Sequence, residues 1–307
     1  MRVIAAAVSI GLATSAGSLA AQRLPRTVAA ADSAFAAGNF ALAESLYYVG
    51  ARQSPRDPAV REGLGRFLAA QGRTKVAIVL LEEARMFGGD PARIAGLLVP
   101  LYAHLGEWRA LQILPASPLS FAERRRAAWL AEHPFGITGE GGATSIVGTP
   151  KGDTIARVAV RIGGRGAVAA IVGGDVGFIV GSRIAGSSAR RFERDSTIVV
   201  LDSVMLGPMK LVNVPASIGP QASTLVIGAA SLARMVVQVD YGRNRIALTR
   251  GDGGAAESRY LLIRDGGQLR VLDRGRWVAL ADFAAAVARA SRTMVLDFAR
   301  GEARIRR

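Results

Sequence analysis

A chain of 307 residues sets 39 Lys and Arg against 24 Asp and Glu, for a formal net charge of +15, and contains no cysteine. That excludes disulfides, thiolate-held metals and thiol nucleophiles, and a half-hydrophobic composition of this length implies more than one domain. The charge is almost all arginine and is shared among residues 21–132, 151–250 and 251–307, so no dedicated nucleic-acid surface is expected.

Residues 3–21 carry no charge and follow Met1-Arg2, and Ser18-Leu19-Ala20 gives the small-x-small pattern of a leader cleavage site. Residues 1–20 therefore read as a signal peptide, cut after Ala20 or Ala21, which places the mature chain in the periplasm or outside the cell. Membrane contact is expected only if that segment is uncleaved.

Residues 21–132 read as helical repeats. Gly38-Asn39-Phe40, Gly72-Arg73-Thr74 and Gly106-Glu107-Trp108 begin 34 residues apart, and Ala43 and Ala77 keep the same spacing. Each glycine ends one helix and turns the chain, and the small alanine lets the next helix pack closely. The set Gly38, Phe40, Ala43, Tyr47 and Pro55 resembles the tetratricopeptide repeat. The third unit departs from it, with Leu111 for the alanine and Pro115 ending its second helix. A peptide or protein partner is what such a repeat implies; covering the neighbouring domain is the other role it can play. Phe121 to Glu132, with Arg124-Arg125-Arg126, reads as a last helix, and 133–150 as a Gly-rich linker.

From Thr154 the pattern turns to short strands. Ile155 to Ile162 and Ala167 to Val172 flank the turn Gly163-Gly164-Arg165-Gly166. Further strands are expected at Phe178–Val180, Thr197–Leu201, Lys210–Val214, Leu225–Ile227, Met235–Asp240 and Arg245–Thr249, enough for a small barrel. The order of these pieces over 151–250 resembles the single-lobe retropepsin-like aspartic proteases of bacteria. It includes the first hairpin, the loop Ile171-Val172-Gly173-Gly174, the helix start Ser182-Arg183-Ile184-Ala185, and Leu225-Val226-Ile227-Gly228 before Val239-Asp240-Tyr241.

That family uses an Asp-Thr-Gly or Asp-Ser-Gly loop from each of two lobes, so that paired carboxylates share a proton and activate water. Neither tripeptide occurs in this chain. In the register of the resemblance the aspartate position falls on Val172, the hydroxyl on Gly173 and the glycine on Gly174, which implies a pseudoenzyme. Asp175, in Asp175-Val176-Gly177, is the one catalytic candidate. An active enzyme would then be a homodimer through the β domain, because one lobe supplies one carboxylate. A third reading is an envelope scaffold without enzymatic activity. Asp240 reads as structural in its turn.

Residues 251–307 read as a small α+β unit, with strands at Tyr260–Ile263, Leu269–Leu272 and Trp277–Leu280. Asp282 is expected to cap a helix over Phe283 to Ala290, before strands Met294–Phe298 and Ala303–Ile305. Leu296-Asp297-Phe298 echoes Val239-Asp240-Tyr241 and suggests a partial second lobe. The whole is an α+β multidomain chain: all-α repeats, an all-β retropepsin-like barrel and an α+β tail. No cofactor and no metal are expected. Two histidines, His104 and His133, give no ligand set, and Glu82-Glu83 reads as a solvated pair on a repeat helix.

Overall fold

The computed structural model describes residues 27–139, 143–148, 151–174, 177–194, 196–220, 225–232, 235–249, 258–265, 267–298 and 300–306. The segment read as a signal peptide, and Asp175, lie outside these residues.

Seven helices come first: α1 (27–36), α2 (Phe40–Gln53), α3 (Pro58–Ala70), α4 (Thr74–Met86), α5 (Pro91–Leu105), α6 (Trp108–Ile113) and α7 (Phe121–Glu132). Their ends follow from local chemistry. Asp57 and Asp90 accept N–H bonds at the starts of α3 and α5, each followed by a proline at the first helical position. Ser120 and Glu123 form a reciprocal capping box on α7. Gly38, Gly72 and Gly106 turn the chain with φ of 76°, 76° and 73°, so the sequence period is also a conformational period. Ala43, Ala77 and Leu111 are all buried at the helix contacts.

The strands of the first sheet are β1 (Gly136–Thr138), β3 (Thr154–Ile162), β4 (Arg165–Val172), β5 (Phe178–Gly181), β6 (Ala189–Arg191), β7 (Ile198–Leu206), β8 (Met209–Gly219) and β9 (Leu225–Gly228), with α8 (Ser182–Ser188) after β5. Their order is β1-β8-β5-β9-β4-β3-β7-β6, and β7 also pairs with β8. That extra pairing closes six of the strands into a barrel and removes their open edges. β4 runs parallel to β9, and β5 parallel to β8.

The second sheet holds β2 (Ala143–Ser145), β10 (Val236–Asp240), β11 (Arg245–Thr249), β12 (Ser258–Asp265), β13 (Gln268–Asp273), β14 (Arg276–Ala279), β15 (Thr293–Asp297) and β16 (Glu302–Arg306). Its order is β14-β13-β12-β16-β15-β10-β11-β2, and α9 (Leu280–Arg289) packs on β13 and β15 and against β3 of the barrel. One apolar core runs through both sheets.

Three expectations need correction. The stretch 133–150 is not a bare linker: β1 pairs with β8 and β2 with β11, and the Asn213 side chain donates to the Pro134 carbonyl at 3.2 Å. Strands of three residues among glycines carry too little alternation to announce themselves. The boundary between 250 and 251 does not break a sheet, since β15 of the α+β tail pairs with β10 along its whole length. Asp282 is not the helix cap. α9 begins at Leu280 after Ala279, and Asp282 lies in its first turn, where a carboxylate still suits the helix dipole.

Candidate functional site

The loop after β4 is the place where the resemblance puts catalytic chemistry. β4 ends at Val172, which is buried and lies in parallel register opposite Gly228 of β9. Beyond it the backbone is held on both sides. The Gly173 N–H donates to the Asp153 carbonyl at 2.9 Å, and the Leu269 N–H donates to the Gly173 carbonyl at 3.0 Å. Gly174 forms a β-bridge with Gln268. A Cβ on Gly173 would stand 3.2 Å from the Ala281 nitrogen, so β13 and the start of α9 lie directly over the loop.

No side chain in the described part of this loop can hold or share a proton. Val172 is aliphatic, Gly173 and Gly174 have no side chain, and the bond Gly173 makes with Asp153 is to its main-chain carbonyl. Among the described residues no group of three or more His, Asp and Glu gathers to hold a metal ion. The sequence did not point to Gln268, Leu269 and Ala281 as the residues that cover the loop. Strand β13 was visible in the sequence, but nothing local to it says which loop it meets.

Asp240 and Asp297 sit at the same place in two matching hairpins. β10 turns into β11 with Asp240 opposite Arg245, and β15 into β16 with Asp297 opposite Glu302. Each aspartate accepts the N–H of the residue three further on, Arg243 at 2.9 Å and Arg300 at 3.1 Å. The last residue of each turn is left-handed, Asn244 at φ 51° and Gly301 at φ 63°. β10 and β15 pair antiparallel with Val236 opposite Asp297 and Asp240 opposite Thr293, so the two hairpins are related by a local two-fold between them. Both aspartates close turns, and Asp297 also pairs with the buried Arg304 at 2.9 Å. The Tyr241 hydroxyl donates to the Ile155 carbonyl at 3.1 Å, and burial raises its pKa.

The remaining candidates are structural. His133 stacks on Trp129 with ring centroids 4.4 Å apart, and His104 lies 3.4 Å from an Arg264 nitrogen. Glu82 holds Arg85 at 2.6 Å and accepts the Tyr102 hydroxyl at 2.8 Å, while Glu83 meets Arg61 at 3.1 Å. Burial and that hydrogen bond push Tyr102 up to about 12.

The repeats meet the second sheet along their turn edge. A Cβ on Gly38 would lie 2.4 Å from the Trp277 ring nitrogen, and one on Gly72 2.4 Å from the Phe298 carbonyl oxygen. Trp277 packs edge-on against Phe40 at 4.7 Å, and α3 packs against β12. Behind α7, the Arg126 guanidinium donates to the Ala216 carbonyl at 3.3 Å, and burial lowers its pKa.

Residues 34–99 match the tetratricopeptide repeat family. No curated protein matches the chain significantly. Among solved structures, the chain is similar to a retropepsin-like aspartic protease from Rickettsia conorii at 10% identity and a TM-score of 0.26, over 38% of this chain and 95% of that one. A likeness that loose carries no argument, and the β region is read from its own strands and residues.

Proposed function

We propose that this is an exported aspartyl protease-like protein that has lost hydrolysis and binds a peptide or protein partner through its repeats and β domain. The observation that carries the reading is Val172 at the end of β4, buried where the resemblance requires a carboxylate, with Gly173 bonded to β13 above it. Valine can neither share a proton nor polarise water, and the proton-sharing pair is the whole of that chemistry. The matching hairpins support a second point. The α+β tail reads as a partial second lobe, whose β15 pairs with β10. The residues 1–20 leader carries the export.

The test is cleavage of an unfolded protein substrate from about pH 3 to about pH 7, the range in which carboxylate pairs work. Wild type and Asp175→Asn are compared. Neither is expected to cleave. Cleavage by wild type that disappears in Asp175→Asn would make the chain an enzyme and overturn the reading.

A further inference from the structure

Six of the nine large hydrophobic side chains exposed among the described residues lie on α2, α4 and α6: Leu42, Tyr48, Val76, Val79, Met86 and Ile113. None lies on α3 or α5, the helices that alternate with them. The repeat spacing aligns these positions. Leu42 and Val76 are 34 residues apart, as are Val79 and Ile113, so they occupy the same place on successive helices. On α4 itself, Val79 and Met86 fall on one side because seven residues make about two turns. The exposure is large, 56% at Val79, 68% at Met86 and 82% at Ile113.

The same face is cationic. Lys75 and Arg109, also 34 apart, are exposed beside these apolar positions, and Arg52 is exposed near the end of α2. No carboxylate within α2, α4 or α6 is fully exposed. Glu82 and Glu83 are each held by an arginine, and Glu44 lies 3.9 Å from Arg73. Among the described residues, the one exposed carboxylate at an end of these helices is Glu107, the N-cap of α6, two residues before Arg109. Two other parts of the helical module are engaged: the turn edge by Trp277 and Phe298, and α3 by β12.

We propose that the outer face of α2, α4 and α6 is a docking surface for an anionic lipid bilayer. Apolar side chains that project singly between cations match an interface in which acyl chains take the apolar groups and lipid phosphates take the charge. An acidic peptide would satisfy the cations but not the side chains of Val79, Met86 and Ile113, which stand 56% to 82% exposed. Contact with a membrane would then come from the folded repeats themselves, whatever happens to the leader.

The experiment is co-sedimentation of the full chain with phosphatidylglycerol-rich vesicles, using wild type, Val79→Glu/Ile113→Glu and Lys75→Glu/Arg109→Glu. The uncharged stretch 3–21 is common to all three, so its contribution cancels in the comparison. All four positions are exposed, so the variants are expected to keep the wild-type circular dichroism. Each pair is expected to weaken the apparent vesicle affinity at least about tenfold, and raised salt to weaken the wild type. Should one pair disturb the fold, the other still decides. Retention of a folded variant equal to wild type, or no retention of wild type, overturns the proposal.

Discussion

Gly72 shows how one residue serves two purposes that the sequence separates poorly. Its period-34 place and its φ of 76° belong to the turn between helices, and any residue with a side chain would pay for that backbone. Its second constraint comes from far along the chain, because a Cβ there would stand 2.4 Å from the Phe298 carbonyl oxygen. Gly88 isolates the first effect: its φ is 91°, and nothing lies within 4 Å of a Cβ. Alanine at either position costs about 1–2 kcal/mol for the left-handed backbone. At Gly72 the clash adds about 1–3 kcal/mol, because the oxygen is backbone and cannot rotate away. Urea unfolding of Gly72→Ala and Gly88→Ala should therefore show the larger loss at Gly72. Equal losses would mean that the second sheet does not rest on this turn. The glycine period is readable in sequence because it is local, whereas the approaching carbonyl leaves no mark near Gly72.

The hairpins carry the same lesson among elements. Val239-Asp240-Tyr241 and Leu296-Asp297-Phe298 are visible as an echo of three residues, yet the match extends through turn, register and pairing. Backbone registry is set by the turn and by the aspartate that closes it, so few side chains need to repeat. Strands β3 and β4 are legible to within two residues, but the turn is Gly163-Gly164 alone: Arg165 and Gly166, which read as turn, already pair with Ile162 and Arg161. β7 and β8 extend further than their apolar runs suggest, since Asp202, Ser203 and Asn213 interrupt the alternation without ending the pairing. The end of β4 at Val172 is legible in the sequence, but the cover of the following glycines by β13 is not. The hairpins also differ in one telling respect. Asp297 faces Arg304, which is 2% exposed, whereas Asp240 faces Arg243, which is 82% exposed on its side chain. Asparagine at 297 keeps the turn acceptor but removes the carboxylate that lies 2.9 Å from a buried guanidinium. We expect Asp297→Asn to cost about 3 kcal/mol, because the buried cation loses the shorter of its two carboxylate contacts. Asp240→Asn should cost less than about 1 kcal/mol. Thermal unfolding of the two variants decides it, and comparable losses would show that Arg304 does not depend on Asp297.

At the scale of the molecule, helical repeats and β strands share a core rather than a tether. Phe192, Val200 and Ile263 of the β region pack among the repeat residues, and Trp277 lies against Phe40 with its ring N–H donating to the Gly38 carbonyl at 3.4 Å. Arg126 of α7 reaches the Ala216 carbonyl of β8 at 3.3 Å. Removing residues 27–114 would therefore expose the face of the second sheet that rests on them, and loss of partner capture in that deletion could not be assigned to the repeats. A shared core predicts cooperative unfolding. Helical ellipticity, dominated by α1 to α7, and the strand amide I infrared band, dominated by the two sheets, should report coincident transitions on heating. Trp277→Ala, at a half-buried position, should lower both together by about 2 kcal/mol, somewhat less than truncation of a fully buried aromatic. Two separate transitions, with the helical one untouched by Trp277→Ala, would show instead that the repeats fold and stand alone, and would restore the deletion as a clean dissection.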